Sequence, residues 1–213
     1  MAMSTGIQWS KSWLPVAMVL YFGLALPGLR QLLEATLIGH MLVQMPLLGL
    51  LGYVIGVSSR TVAHNHLLVW DRGGATGLLL FVFISIFWML PRFVDAALID
   101  YRYELAKFAG LPFAGVLLAW SYPRAHVIVR GVLLAHVVSA FWAMSWVYLA
   151  APERLCNNYL RVEQDAVGVG LLAIGVALFF YLGIRVLCAP LVQLGPSVAT
   201  RPLLANNRQL RAV

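Results

Sequence analysis

The stretch Gly39 to Leu48, GHMLVQMPLL, sets an imidazole, an amide and two thioethers inside an otherwise apolar run. His40 and Gln44 are four residues apart, as are Met41 and Met45, so on a helix each pair can point at a common object. Stepping about 100° per residue, Glu34, His40, Met41, Gln44 and Met45 fall within roughly 140° of arc. Pro46 has no N–H to give the carbonyl of Leu42, which leaves that oxygen free beside His40. Imidazole, thioether and carbonyl on one stripe suit Cu(I) better than zinc or magnesium. The same side chains also have a plainer use, since methionines fill cores and a bundle histidine can hydrogen-bond a serine or carbonyl across helices.

A second intramembrane imidazole, His136, lies beside a line of small residues, Gly131, Ala135, Ser139 and Ala143, which allows close helix packing. Ser139 stands one turn from it as a ready partner, and Met144 follows two turns on. Met144 completes the candidate metal set of His40, Met41, Gln44 and Met45. His40 and His136 together give the alternative, axial ligation of one haem b. His64 and His66 form an H-x-H pair that converges on a metal only in extended chain. Cys156, in a polar loop, is either an inert thiol or a soft ligand, and Cys188 falls at the opposite membrane face, out of its reach.

The elements that position these residues follow from composition. The chain has 213 residues, 62% hydrophobic and 11% charged, with a mean hydropathy of +0.85. Soluble domains carry about 25% charge, so this is a membrane composition. Six apolar runs are candidate spans: Ser12 to Leu29, Leu32 to Ser58, Gly73 to Leu90, Tyr103 to Tyr122, Gly131 to Ala151 and Ala166 to Ile184. The expected fold is all-α, a polytopic transmembrane helix bundle of about six spans. The fourth run is the weakest, and Lys107 is expected to snorkel from it to the interface. Glu104 and Lys107 are expected to neutralise one another, as are Arg92 and Asp95.

Six spans place both termini on one side. That side carries Lys11, Arg60, Arg72, Arg124, Arg130, Arg185, Arg201, Arg208 and Arg211, against Arg30, Arg92, Arg102, Lys107, Arg154 and Arg161 on the other. The positive-inside rule makes the termini cytoplasmic, with His40 about eight residues, roughly 12 Å, in from the outer face. The net charge of +7 reads as a basic inner collar facing lipid, not as a nucleic-acid surface. Residues 1–190 form one membrane domain, and Leu191 to Val213 an inner basic tail. A phosphate-binding glycine loop, a nucleophile elbow, H-E-x-x-H and C-x-x-C are all missing from the sequence, so no catalytic residue is assigned and the chain reads as a non-enzyme.

GHMLVQMPLL resembles the H-M-x-x-H-M signature of the membrane copper-insertion factors for bacterial cytochrome c oxidase, the CtaG family. GLLLFVFISIFWMLP is similar to that family's aromatic-ended helix, and VEQDAVGVGLL to its D-Q followed by a glycine pair. The resemblance touches three helices. It maps His40 and Met41 onto the first half of the motif, Met45 onto its closing methionine, and Glu163 with Gln164 onto the acidic-glutamine pair; Gln44 stands where the second histidine would be. It implies an assembly factor in the bacterial inner membrane that binds copper, or docks on a membrane subunit of the oxidase, during maturation. The alternatives are a haem-bearing or quinone-contacting subunit of a respiratory complex, a structural subunit, and, more remotely, a transporter.

Overall fold

The computed structural model describes residues 13–60, 71 and 73–193, with side chains to 185. Among these residues the chain is all helix and turn: α1 (Trp13–Ala25), α2 (Pro27–Glu34), a π turn (Gly39–Gln44), α3 (Met45–Ser58), α4 (Ala75–Met89), α5 (Pro91–Ile99), α6 (Tyr101–Ser121), a 3-10 turn (Tyr122–Arg124), α7 (Val127–Ala150) and α8 (Arg161–Gln193). Four helical stretches are long and apolar enough to cross a membrane: Gly39–Ser58, Tyr101–Arg124, Val127–Ala150 and Arg161–Arg185. Two bent pairs, α1 with α2 and α4 with α5, raise the number to six if each counts as one span. The chain is a polytopic membrane helix bundle.

Both bends have one cause. The residue before a proline is pushed out of the α region, and Leu26 (φ −63°, ψ 134°) and Leu90 (φ −70°, ψ 129°) are extended ahead of Pro27 and Pro91. The axes turn by 71° and 70° there. The first two expected spans are therefore divided differently. The first breaks at Leu26, α2 folds over as a separate short helix, and the second span begins at Gly39 rather than Leu32.

The centre of the bundle is the α3–α6 pair, where backbones touch. A Cβ on Gly52 would meet the Pro112 carbonyl, one on Gly115 the Gly49 carbonyl, and one on Gly56 would come within 2.7 Å of the Ala119 Cβ. Pro112 cannot donate to the carbonyl of Phe108 one turn back, and Tyr21 of α1 supplies the missing bond from its hydroxyl at 2.9 Å. The expected weak span is thus the most enclosed: 44% of its apolar window is buried, against 11% for α7. The small-residue line on α7 does not mediate close packing, because Gly131, Ala135, Ser139 and Ala143 are all exposed.

Polar groups gather at the two ends of α6. At its C-terminal end Asp71 accepts from Ser121 (2.7 Å), Arg124 (3.1 Å) and the Gly77 amide (3.3 Å), while Arg60 donates to the Ala119 carbonyl and Trp120 to that of Gly56. Gly74 makes the tight entry to α4 with φ +69°, where a side chain would run into the Ser121 carbonyl. At the opposite end lie α2, α5 and the loop between α7 and α8.

Two compact units divide the chain, one ending at Gly175 and one starting at Val176. In the second, α8 continues to Gln193, Phe179 and Phe180 meet edge to face at 5.8 Å, and Arg185 lies 6.0 Å above the Tyr181 ring. Helix therefore occupies the first three residues assigned to the inner tail. The remainder of that tail, the His64/His66 pair and the Cys188 side chain lie outside the described residues.

Candidate functional site

α2 ends at Glu34, so its carbonyl has no partner within the helix. Thr36 starts the next segment by accepting from the Gly39 amide at 3.1 Å, and the chain enters the π turn. There Met45 N–H reaches back five residues to the carbonyl of His40. This widened turn sits directly before Pro46, where the ordinary ladder is interrupted in any case. It carries His40 and Gln44, both fully buried.

Their partner comes from α6. Lys107 is fully buried, and its ammonium donates to Glu34 Oε1 (2.6 Å), His40 Nε2 (3.0 Å) and Gln44 Oε1 (3.1 Å). A lysine has three N–H donors, and each has its acceptor. Gln44 also closes the ring from its other end, donating from Nε2 to Glu34 Oε1 at 3.2 Å. Glu34 cancels the buried positive charge. Towards the surface Arg30 lies 3.7 Å from Glu34 Oε2 and pairs with Glu104.

The loop before α8 completes the cluster. Tyr159 donates its hydroxyl proton to the orphan carbonyl of Glu34 at 2.9 Å, and its oxygen lies 2.9 Å from His40 Nδ1. Burial, and then the Glu34 carboxylate, push the Tyr159 phenol up, so it keeps that proton. With the proton committed to Glu34, the Tyr159 oxygen can only accept from His40. Nδ1 therefore carries the imidazole hydrogen, and Nε2 is the lone pair that receives Lys107.

The same loop is pinned on its flanks. Asp95 of α5 accepts from the Asn157 and Asn158 amides (3.1 and 3.2 Å) and from Asn158 Nδ2 (2.7 Å). Gln164 accepts from the Leu155 amide at 2.9 Å and donates to the Tyr148 carbonyl at 3.0 Å, while Glu163 accepts from the Leu160 amide. The acidic-glutamine pair of the resemblance therefore anchors the loop that carries Tyr159. Cys156 is a free, buried thiol against the Pro91 carbonyl at 3.7 Å.

Several expectations are corrected by this geometry. Lys107 does not snorkel, because Glu34 offers it a carboxylate inside the protein. Glu104 pairs with Arg30 rather than with Lys107, and Asp95 is occupied by the loop amides rather than by Arg92. Ser139 donates to the backbone carbonyl of His136, not to its ring, which is half-buried on α7. The methionines pack as the plainer of their two expected uses has it: Met41 and Met45 are buried in one apolar cluster with Leu37, Leu48 and Trp88, and Met144 packs on its edge.

A copper ion would need the lone pair of His40, which already holds an ammonium, and the Gln44 oxygen is held by the same group. A second cation there would also face the Lys107 charge at contact distance. The residues present therefore do not fit a copper cup, and a haem iron would compete for the same nitrogen. Among the described residues no three His, Cys, Asp or Glu side chains are grouped as a metal centre. No family model, curated protein or solved structure matches the chain.

Lys107 and Tyr159 are the functional-site residues that periodicity alone misses. Lys107 had a legible signal, a cation inside one apolar run with a carboxylate, Glu34, inside another. Tyr159 had none.

Proposed function

We propose that this chain is a non-catalytic membrane factor for a haem-copper respiratory oxidase, acting by docking on an oxidase subunit during maturation rather than by carrying copper. In this reading it resides in the bacterial inner membrane with both termini cytoplasmic, and the Lys107 cluster lies in the outer half. The likeness of GHMLVQMPLL, GLLLFVFISIFWMLP and VEQDAVGVGLL to the copper-insertion factors supports the oxidase as client. The observation that carries docking over metal delivery is the ammonium of Lys107 seated on His40 Nε2 and Gln44 Oε1. The motif keeps its place on the helix, while its donor atoms are spent on holding α2, α3 and α6 together.

The test is deletion of the chain from its source organism, with oxidase followed in membranes by reduced-minus-oxidised spectra and oxygen uptake. Assembled oxidase should fall, and complementation should restore it. Unchanged oxidase removes the reading. Copper quantification on the purified protein separates the two modes of action: docking predicts substoichiometric copper, and one copper per chain that disappears in His40→Ala overturns it.

A further inference from the structure

Three acceptors from two elements converge on one point. Glu34 Oε1, the His40 Nε2 lone pair and Gln44 Oε1 lie 2.6, 3.0 and 3.1 Å from the Lys107 nitrogen. Two are completely buried and the third belongs to a side chain with 10% exposure. All three meet at the Lys107 nitrogen, which lies 5.3 Å from the Phe108 ring centroid at the end of a fully buried side chain. Each acceptor also has a partner other than Lys107: His40 Nδ1 meets the Tyr159 hydroxyl, Gln44 Nε2 donates to Glu34 Oε1, and Arg30 lies 3.7 Å from the second Glu34 carboxylate oxygen.

From this geometry we propose that Glu34, His40 and Gln44 form a preorganised cup for a primary ammonium group, occupied in the native protein by a tethered one. The chemistry sets the selectivity. A primary ammonium presents three N–H donors to three acceptors, and one carboxylate matches its charge. A quaternary ammonium has no donor, and a neutral amide or alcohol leaves the carboxylate without its buried counter-charge. The space vacated by the buried, unbranched lysine stem suits an unbranched alkyl chain.

The inference stands apart from the oxidase reading, since it concerns what the cup binds and not what the chain assembles. The test removes the tether. Alanine retains Cβ, so Lys107→Ala lacks the heavy atoms of n-propylammonium. In detergent, n-propylammonium chloride should raise the melting temperature of Lys107→Ala progressively with concentration, as a ligand that binds only the folded state must. Tetramethylammonium chloride at equal ionic strength should not, and wild type should respond equally weakly to both salts.

Lys107→Met keeps that space filled without the charge and should be indifferent to the amine. Should Lys107→Ala fail to accumulate, the same salts are added during solubilisation, with recovery of monodisperse protein as the readout. Recovery with n-propylammonium alone supports the cup. An equal response to both salts, an equal response of Lys107→Met, or no recovery under n-propylammonium overturns it.

Discussion

Tyr159 and His40, 119 residues apart, meet at 2.9 Å, and the single phenolic proton given to the Glu34 carbonyl fixes which imidazole nitrogen carries hydrogen. Tyr159→Phe removes both bonds at once and leaves a part-buried carbonyl and a buried N–H without these partners. The expected cost is about 1–3 kcal/mol, seen as a lower melting temperature in detergent. Nitrogen-15 NMR of histidine-labelled protein should show the Nδ1–H form for His40 in the wild type and lose that pattern in Tyr159→Phe. A wild-type Nε2–H form would overturn the assignment.

Lys107 and Glu34 make an ion pair with a fully buried ammonium and a carboxylate only 10% exposed, and such pairs are costly to break from one side. Lys107→Met leaves the Glu34 carboxylate with Arg30, 3.7 Å away and partly exposed, as its remaining cation, and should destabilise by about 3 kcal/mol, the low end for breaking a buried pair. Removing both charges, in Lys107→Met with Glu34→Leu, should recover a large part of that loss, because no uncompensated charge then remains. A double-mutant cycle of unfolding free energies checks it. Strict additivity of the two substitutions would show that the pair does not interact in the folded protein.

Helix class and inward burial of His40, Met41, Gln44 and Met45 could be read from the sequence, because hydropathy and a 100° step are local properties. The two leucine-proline breaks are also legible in the sequence, Leu26–Pro27 inside the first expected span and Leu90–Pro91 at the end of the third, but the angle at which the chain turns there is not. Partner choice was not local. Glu104 and Lys107 are spaced to pair on one helix, yet each pairs with α2, since the fold of Leu26–Pro27 brings Arg30 and Glu34 within reach. Tyr159 sits in a loop whose course depends on Asp95 and Gln164, and no periodicity describes it. The site of close helix packing is not local either: α3 and α7 both carry small residues at helical spacing, and only tertiary contact decides which set is used.

That choice gives a third expectation. Gly115 of α6 faces the Gly49 carbonyl and the Tyr53 amide of α3, so Gly115→Ala must separate the two central helices and with them Lys107 from Glu34 and Gln44. Gly131→Ala on the exposed α7 line meets nothing within 4 Å and serves as the control. The first should lower the melting temperature by several degrees or prevent accumulation in membranes, and the second should match wild type. Equal behaviour of the two variants would refute close α3–α6 contact.

Cys156 offers a pH-dependent probe of the loop that holds Tyr159. Burial, followed by the Asp95 carboxylate, pushes its thiol up from 9.0 to about 11. Below pH 9 the folded protein should therefore hold about 100-fold less thiolate than the unfolded chain, at a factor of ten per unit of pKa. Maleimide labelling should be slow in the native protein and should accelerate on unfolding. Because the folded value exceeds the unfolded one, the thiol favours folding fully below pH 9, and this contribution disappears as the pH rises from 9 towards 11. Asp95→Asn weakens the anchor of Asn157 and Asn158 and removes the neighbouring charge, so both effects speed labelling. Native labelling as fast as that of the unfolded chain at pH 7.5 would mean that the loop is open, and that Tyr159 does not hold His40.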